Sequence, residues 1–243
     1  MNAQTEKIIV RGSAGAIEVA IDRPAFDRPA FDRPVIDRRL IPPADTPVEG
    51  KADALPAATP SLGFAVIAHP HPLFGGTLDN KVVQTLARAF TQCGWTAVRF
   101  NFRGVGKTEG VHDEGRGELD DMLAVVAAVA PAGPLCLAGF SFGAFVTTHA
   151  FERLHRARPI DKLVLVGTSV SRSAAAPIVA AAHPSTIVSH GELDDTVELA
   201  ALMDWARPQL LPVTVVPGGG HFFHGQLPLL KSLVVRHLSS TAS

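Results

Sequence analysis

Ser141 lies in the pentapeptide Gly139-Phe140-Ser141-Phe142-Gly143, with the apolar run PLCLA before it and GAFVTTHAFERLH, spaced as a helix, after it. A serine between glycines at a strand-to-helix junction is the arrangement of a nucleophile elbow. Such a tight turn forces the serine backbone into a strained region and lifts Oγ clear of the sheet. The glycines two residues to either side let strand and helix pass close together. The amide of Phe142, opening the helix, then points to where an oxyanion would develop.

A serine hydroxyl is a poor nucleophile until a base takes its proton and a third group orients that base. In this arrangement the partners arrive in chain order serine, acid, histidine, each just past the end of a later strand. STIVSHGELDDTV presents Glu192, Asp194 and Asp195, and LPVTVVPGGGHFFHG presents His221 and His224. Asp194 is the first choice for the acid and Asp195 the alternative, although Asp195 also suits the N-cap of the helix that follows. His221 is preferred over His224 because it stands nearer the strand end, after three glycines that let the loop reach the elbow; a structural role is expected for His224. A second oxyanion donor should come from HPHPLFGG, after the strand GFAVIAH. Pro70 and Pro72 have no N–H, so the amide of His71 is expected to donate, with Leu73 as the alternative. His69-x-His71 lacks further ligands close by, and no metal site is expected.

These residues need a scaffold, and the chain from Gly63 onward alternates apolar strand runs with helical patterns of about a dozen residues. In DNKVVQTLARAFTQCG the apolar face runs through Val82, Val83, Leu86, Ala89 and Phe90, and Gly94 supplies the stop. Strand and helix in alternation predict parallel strands with crossover helices on both faces, and strands apolar throughout agree with a sheet buried on both sides. KIIVRGSAGAIEVAI adds an antiparallel hairpin in front. The result is one doubly wound α/β domain spanning 1–243. Residues 22–60 carry the repeat AIDRP-AFDRP-AFDRP-VIDRR and then a proline- and alanine-rich stretch, a period that fits neither helix nor strand. They are expected to form an extended surface insertion without specific function. The stretch between LVLVGTS and STIVSHGE is too short for a helical cap, so a shallow, open site is expected, with Phe74, Phe102, Phe140 and Phe222 as candidates to line an acyl pocket.

Other chemistries fit less well. GVGKT ends like a phosphate-binding loop, but the first glycine of that motif falls on Asn101, and Gly110, Gly115 and Gly117 break the helix it requires. With 47% hydrophobic residues, 19% charged residues and a formal charge of -1, the chain has ample core material and no basic run for a nucleic acid. Cys93 and Cys136 sit in apolar runs without metal or redox spacing and are expected to be reduced core thiols. No signal-peptide progression or long apolar run is present, which predicts a soluble cytoplasmic protein. A small-molecule acyl substrate is the implied partner, without nucleic acid, membrane or cofactor.

Together, AHPHPLFGGTLDNKVV, RFNFRGVGKTEG, GFSFGAF, HGELDDTV and GGGHFFHGQL resemble a bacterial group of small, lidless hydrolases in the α/β-hydrolase superfamily. The likeness runs from Gly63 to His237 and includes the N-terminal hairpin; the DRP repeat departs from the group's pattern. The resemblance implies a mostly parallel sheet of eight strands, no sizeable lid, and a Ser-Asp-His triad at Ser141, Asp194 and His221. It further implies cleavage of a carboxylic ester or thioester through an acyl-enzyme. An acyltransferase or perhydrolase with the same triad, or a non-catalytic binding protein of this fold, are the alternatives.

Overall fold

The computed structural model describes residues 5–24, 61–170 and 174–240. Of the insertion expected at 22–60, residues 25–60, and with them nearly all of the DRP repeat, lie outside the described residues.

Eight strands form one sheet: β1 (Thr5–Gly12), β2 (Gly15–Asp22), β3 (Phe64–Ala68), β4 (Thr96–Phe100), β5 (Leu135–Phe140), β6 (Lys162–Val166), β7 (Thr186–Gly191) and β8 (Thr214–Val216). Their order is β1-β2-β4-β3-β5-β6-β7-β8. The hairpin pairs antiparallel within itself and with β4, and every pair beyond is parallel. Five helices follow strands β3, β4, β5, β7 and β8: α1 (Lys81–Gln92), α2 (Arg116–Val129), α3 (Phe142–Leu154), α4 (Leu199–Ala206) and α5 (Leu227–Ser239). β6 is instead followed, before β7, by a short 3-10 turn at Ala180–Ser185.

The strands alternate side chains between two separate cores, as the two-residue pleat requires. Val66, Leu135, Leu137, Leu163 and Leu165 face α2, α3 and α4. Ala65, Ile67, Cys136, Ala138, Val164 and Val166 face α1 and α5. Both faces are therefore buried, which is why the strands read as unbroken apolar runs. Among the described residues no helix is long and apolar enough to cross a membrane.

Because β3 to β8 run parallel, the loops that leave their C-terminal ends gather along one edge of the sheet. The loop after β4 contains GVGKT, and here a protein carboxylate, rather than a phosphate, meets its amide. Glu18 on β2 accepts from Lys107 N–H (3.0 Å) and from Asn101 Nδ2 (2.9 Å), and its own N–H donates to Thr108 Oγ1 (3.0 Å). Gly106 has φ 58, and a Cβ there would stand 2.5 Å from both Glu18 Oε2 and Asn101 Nδ2. The glycine serves the turn and the close approach.

The hydrogen bond from Lys107 N–H holds the Glu18 carboxyl below its ordinary value of 4.5; burial opposes that shift, while Asn101 and Lys7 support it. A carboxyl held down in the native state adds stability that is complete above the unfolded value and is lost as the pH falls through the native one. We predict that Glu18→Ala lowers stability at neutral pH by about 1–3 kcal/mol, the cost of two orphaned donors. Urea denaturation should show the gap to wild type constant at neutral pH and closing only in acid.

Candidate active site

Ser141 joins β5 to α3 with φ 57 and ψ −119, a left-handed-side backbone that a serine adopts only under constraint. Three backbone hydrogen bonds impose it. Its N–H donates to the Val166 carbonyl (2.8 Å), and its carbonyl accepts from Phe145 N–H (3.1 Å) and Ser169 N–H (3.2 Å). The flanking glycines leave no room for side chains. A Cβ on Gly143 would collide with the carbonyl oxygens of Ala68 and His69, and one on Gly139 with the Gly143 carbonyl and Thr147 Oγ1.

At the ends of β7 and β8 the chain brings two further side chains to this turn. His221 Nε2 lies 2.9 Å from Ser141 Oγ, and His221 Nδ1 lies 2.8 Å from Asp194 Oδ2. All three residues are buried, Ser141 to 7% exposure. The carboxylate accepts from Nδ1–H, so Nε2 is the acceptor that faces the serine hydroxyl. The other oxygen of Asp194 accepts from Thr196 N–H (3.0 Å) and Val197 N–H (2.8 Å). Burial pushes the Asp194 carboxyl up, but the bond from His221 and those from the two amides outweigh it, and the group stays below its ordinary value. The His221 ring rests on Phe140 (4.9 Å between centroids) and against Phe222 (5.1 Å).

The other candidates stand apart from this chain of bonds. Asp195, weighed as the alternative acid and as a helix N-cap, contacts only the Thr196 hydroxyl at 3.4 Å. The capping expectation is corrected: Asp194 itself binds the amides ahead of α4, which starts at Leu199 after Glu198, with no side-chain cap. Glu192 accepts from Gly218 N–H (2.8 Å) and steadies the glycine turn before His221. His224 meets the Phe222 ring.

Phe142 N–H is the first amide of α3, so no carbonyl of its own helix can accept it. In the loop after β3, Leu73 N–H, the amide held as the alternative donor, donates to His71 Nδ1 (3.2 Å). His69 is fully buried and bridges two loops: Nδ1 donates to the Pro70 carbonyl (2.6 Å), and Nε2 accepts from Phe102 N–H (3.0 Å). Burial lowers its pKa to about 4, against the raising effect of the Pro70 contact, so it stays neutral and structural. Asn101 Oδ1 adds a second tie between the same loops by accepting from Leu78 N–H (2.8 Å). No group of three or more His, Cys, Asp or Glu among the described residues could hold a metal ion. Of the four phenylalanines considered for a pocket, Phe102 and Phe140 are fully buried beneath the site, whereas Phe74 and Phe222 are exposed. Cys136 is buried and Cys93 half-buried, both as free thiols.

Three polar neighbours are not indicated by the sequence patterns above. His190, buried at the end of β7, donates Nε2–H to the Val197 carbonyl (2.9 Å) and stands 3.6 Å from Asp194 Oδ2. Burial pushes its pKa down, so it braces the acid loop as a neutral ring. Glu118 and Asp121 are charged yet buried on α2, where they bind the loop after β4. Their three-residue spacing toward the sheet was the available signal.

This architecture is shared. The family model described as serine aminopeptidase, S33, matches residues 75–207. An uncharacterized protein of Rickettsia prowazekii (strain Madrid E) is 30% identical over 182 residues, covering 69% of this chain and 74% of that protein. An α/β serine hydrolase without lid from Xanthomonas campestris superposes with a TM-score of 0.74 at 29% identity, over 99% of this chain and 98% of that one. An α/β serine hydrolase homologue from Coxiella burnetii reaches 0.71 at 31% identity, over 98% and 99%.

The contact of Gly143 with the loop after β3 yields a stability prediction. Gly143→Ala drives a methyl group into two backbone oxygens that cannot rotate away, and should destabilise the fold by about 2 kcal/mol or more. Calorimetry should find the melting temperature lowered by about 4–8 °C for a chain of this size.

Proposed function

The chain belongs to the serine aminopeptidase S33 family and is a serine hydrolase of the α/β superfamily; from that premise we propose that it cleaves carboxylic esters or thioesters through an acyl-enzyme on Ser141. The observation that carries this reading is the unbroken series Ser141 Oγ, His221, Asp194 at 2.9 and 2.8 Å. His221 Nε2 takes the hydroxyl proton while Oγ attacks the carbonyl carbon. The amides of Phe142 and His71 receive the oxyanion. The imidazolium passes its proton to the leaving oxygen or sulfur, and the alcohol or thiol departs. Water, deprotonated by the same nitrogen, then attacks the acyl group, and the acid is released with Oγ reprotonated.

Asp194 is the acid of this scheme because it alone both holds Nδ1–H and is itself held, by two amides, at a low pKa. It fixes the tautomer and stabilises the imidazolium. The short 3-10 turn between β6 and β7 supports an uncapped site that takes small or flexible acyl groups.

Ser141→Ala should lower kcat on p-nitrophenyl esters by at least about 10³-fold, and a fluorophosphonate probe should label the wild type and not this variant. Turnover by Ser141→Ala near the wild-type rate would remove the serine from the mechanism. Asp194→Asn should cost about 10³–10⁴-fold in kcat, as loss of the correct tautomer does elsewhere, while Asp195→Asn stays near wild type. The reverse ranking would assign the acid to Asp195. Wild type that neither labels nor turns over any ester would favour a binding role.

A further inference from the structure

His112 sits in the loop after β4, outside the catalytic series, yet its ring lies against the groups that carry the proposed oxyanion donors. Its centroid is 4.7 Å from that of His71 and 5.5 Å from that of Phe142. Behind it stands Glu118, with a side chain that has no solvent exposure. Glu118 accepts from Asp113 N–H (2.9 Å) and Gly115 N–H (2.8 Å), so the carboxylate is fixed to the backbone on either side of the loop's last turn. His112 Nδ1 is 2.7 Å from Glu118 Oε1, within ion-pairing reach but off the line of a hydrogen bond. Two lone pairs cannot face each other at that distance, so Nδ1 carries a proton. The ring thus lies beside a fixed carboxylate, without the aligned hydrogen bond that His221 makes with Asp194.

Capping the loop explains Glu118 but not the imidazole. An apolar ring would pack against His71 and Phe142 equally well, without setting a polar atom beside a buried carboxylate. The imidazole's other nitrogen, Nε2, has no partner among the described residues, and the side chain keeps 14% exposure. Phe142 packs on the His112 ring, and Phe142 and Phe74 both pack on His71.

Resting on the ester-hydrolase reading above, we propose that His112 is a specificity-determining residue. Set beside Glu118, it accepts through Nε2 a hydrogen bond from a hydroxyl borne by the acyl group close to the scissile carbonyl. The favoured substrates are esters of short hydroxy acids rather than of plain hydrocarbon acids. The acyl side is indicated because the ring flanks the oxyanion donors, whereas the leaving group must face His221. A polar atom set beside aromatic rings also discriminates well, since a substrate without the matching hydroxyl leaves it unpaired.

The test compares p-nitrophenyl 3-hydroxypropanoate with p-nitrophenyl butyrate, which have acyl chains of equal heavy-atom count and differ by a terminal hydroxyl in place of a methyl. The readout is the hydroxypropanoate-to-butyrate ratio of kcat/KM in each protein relative to wild type, which cancels the esters' intrinsic reactivities. His112→Phe keeps a ring on His71 and Phe142 and should lower the ratio about tenfold, the worth of one hydrogen bond. The change should reside in KM, because a contact that takes no part in bond making is made equally in ground and transition states. His112→Gln retains an acceptor and should recover part of the ratio; it also serves if the Phe variant does not fold. A ratio unchanged in both variants, or an equal fall for both esters, overturns the assignment while leaving the hydrolase reading intact. Wild type inactive on both esters overturns the two together.

Discussion

At Ser141 the backbone holds φ 57, a conformation that costs a non-glycine residue about 1–3 kcal/mol and persists only when its surroundings over-determine it. Much of the central sheet is arranged to do so. The serine N–H is tied to the end of β6 and its carbonyl to α3 and to the stretch leaving β6, so two neighbouring elements clamp one residue. The clamp works only because α3 can approach the end of β3 with a bare Cα at Gly143. The same approach brings the first amide of α3 next to the loop that bears His71. Strain at one residue and the position of the proposed oxyanion donors are thus a single packing problem.

Around that turn the polar groups are managed by burial and by fixed partners. His69, His190 and His221 are all buried, but each has a different task set by its neighbours. His69 has both nitrogens engaged with backbone and is neutral far below physiological pH. His190 is kept neutral by burial beside the acid. His221 alone faces a carboxylate on one side and a hydroxyl on the other. The proposed base is distinguished from a strut not by residue type but by what stands opposite its second nitrogen.

The loops that form the rim are held by carboxylates that bind backbone amides. Glu18 fixes GVGKT, Glu118 fixes the approach to α2, and Asp194 fixes the turn ahead of α4. Each leaves part of its carboxylate for a side chain: Asn101, His112 and His221 respectively. Anchoring a loop and meeting a side chain are done by one group.

The alternation of apolar runs with helical spacing was legible without coordinates, because the two periods follow from local backbone geometry. So was the elbow, since a serine two residues from glycines on each side, between strand and helix, has few other uses. The order of acid and histidine after it followed from parallel strands ending on one edge. What the linear pattern left open, between Asp194 and Asp195 or His71 and Leu73, are neighbours of similar chemistry on the same loop. Only tertiary structure separates the two acids, because the difference is which side chain meets an imidazole. The pairs His190–Asp194 and His112–Glu118 were illegible for the same reason. A buried polar contact between elements depends on how the sheet closes and how loops pack across it, and leaves no period in the chain.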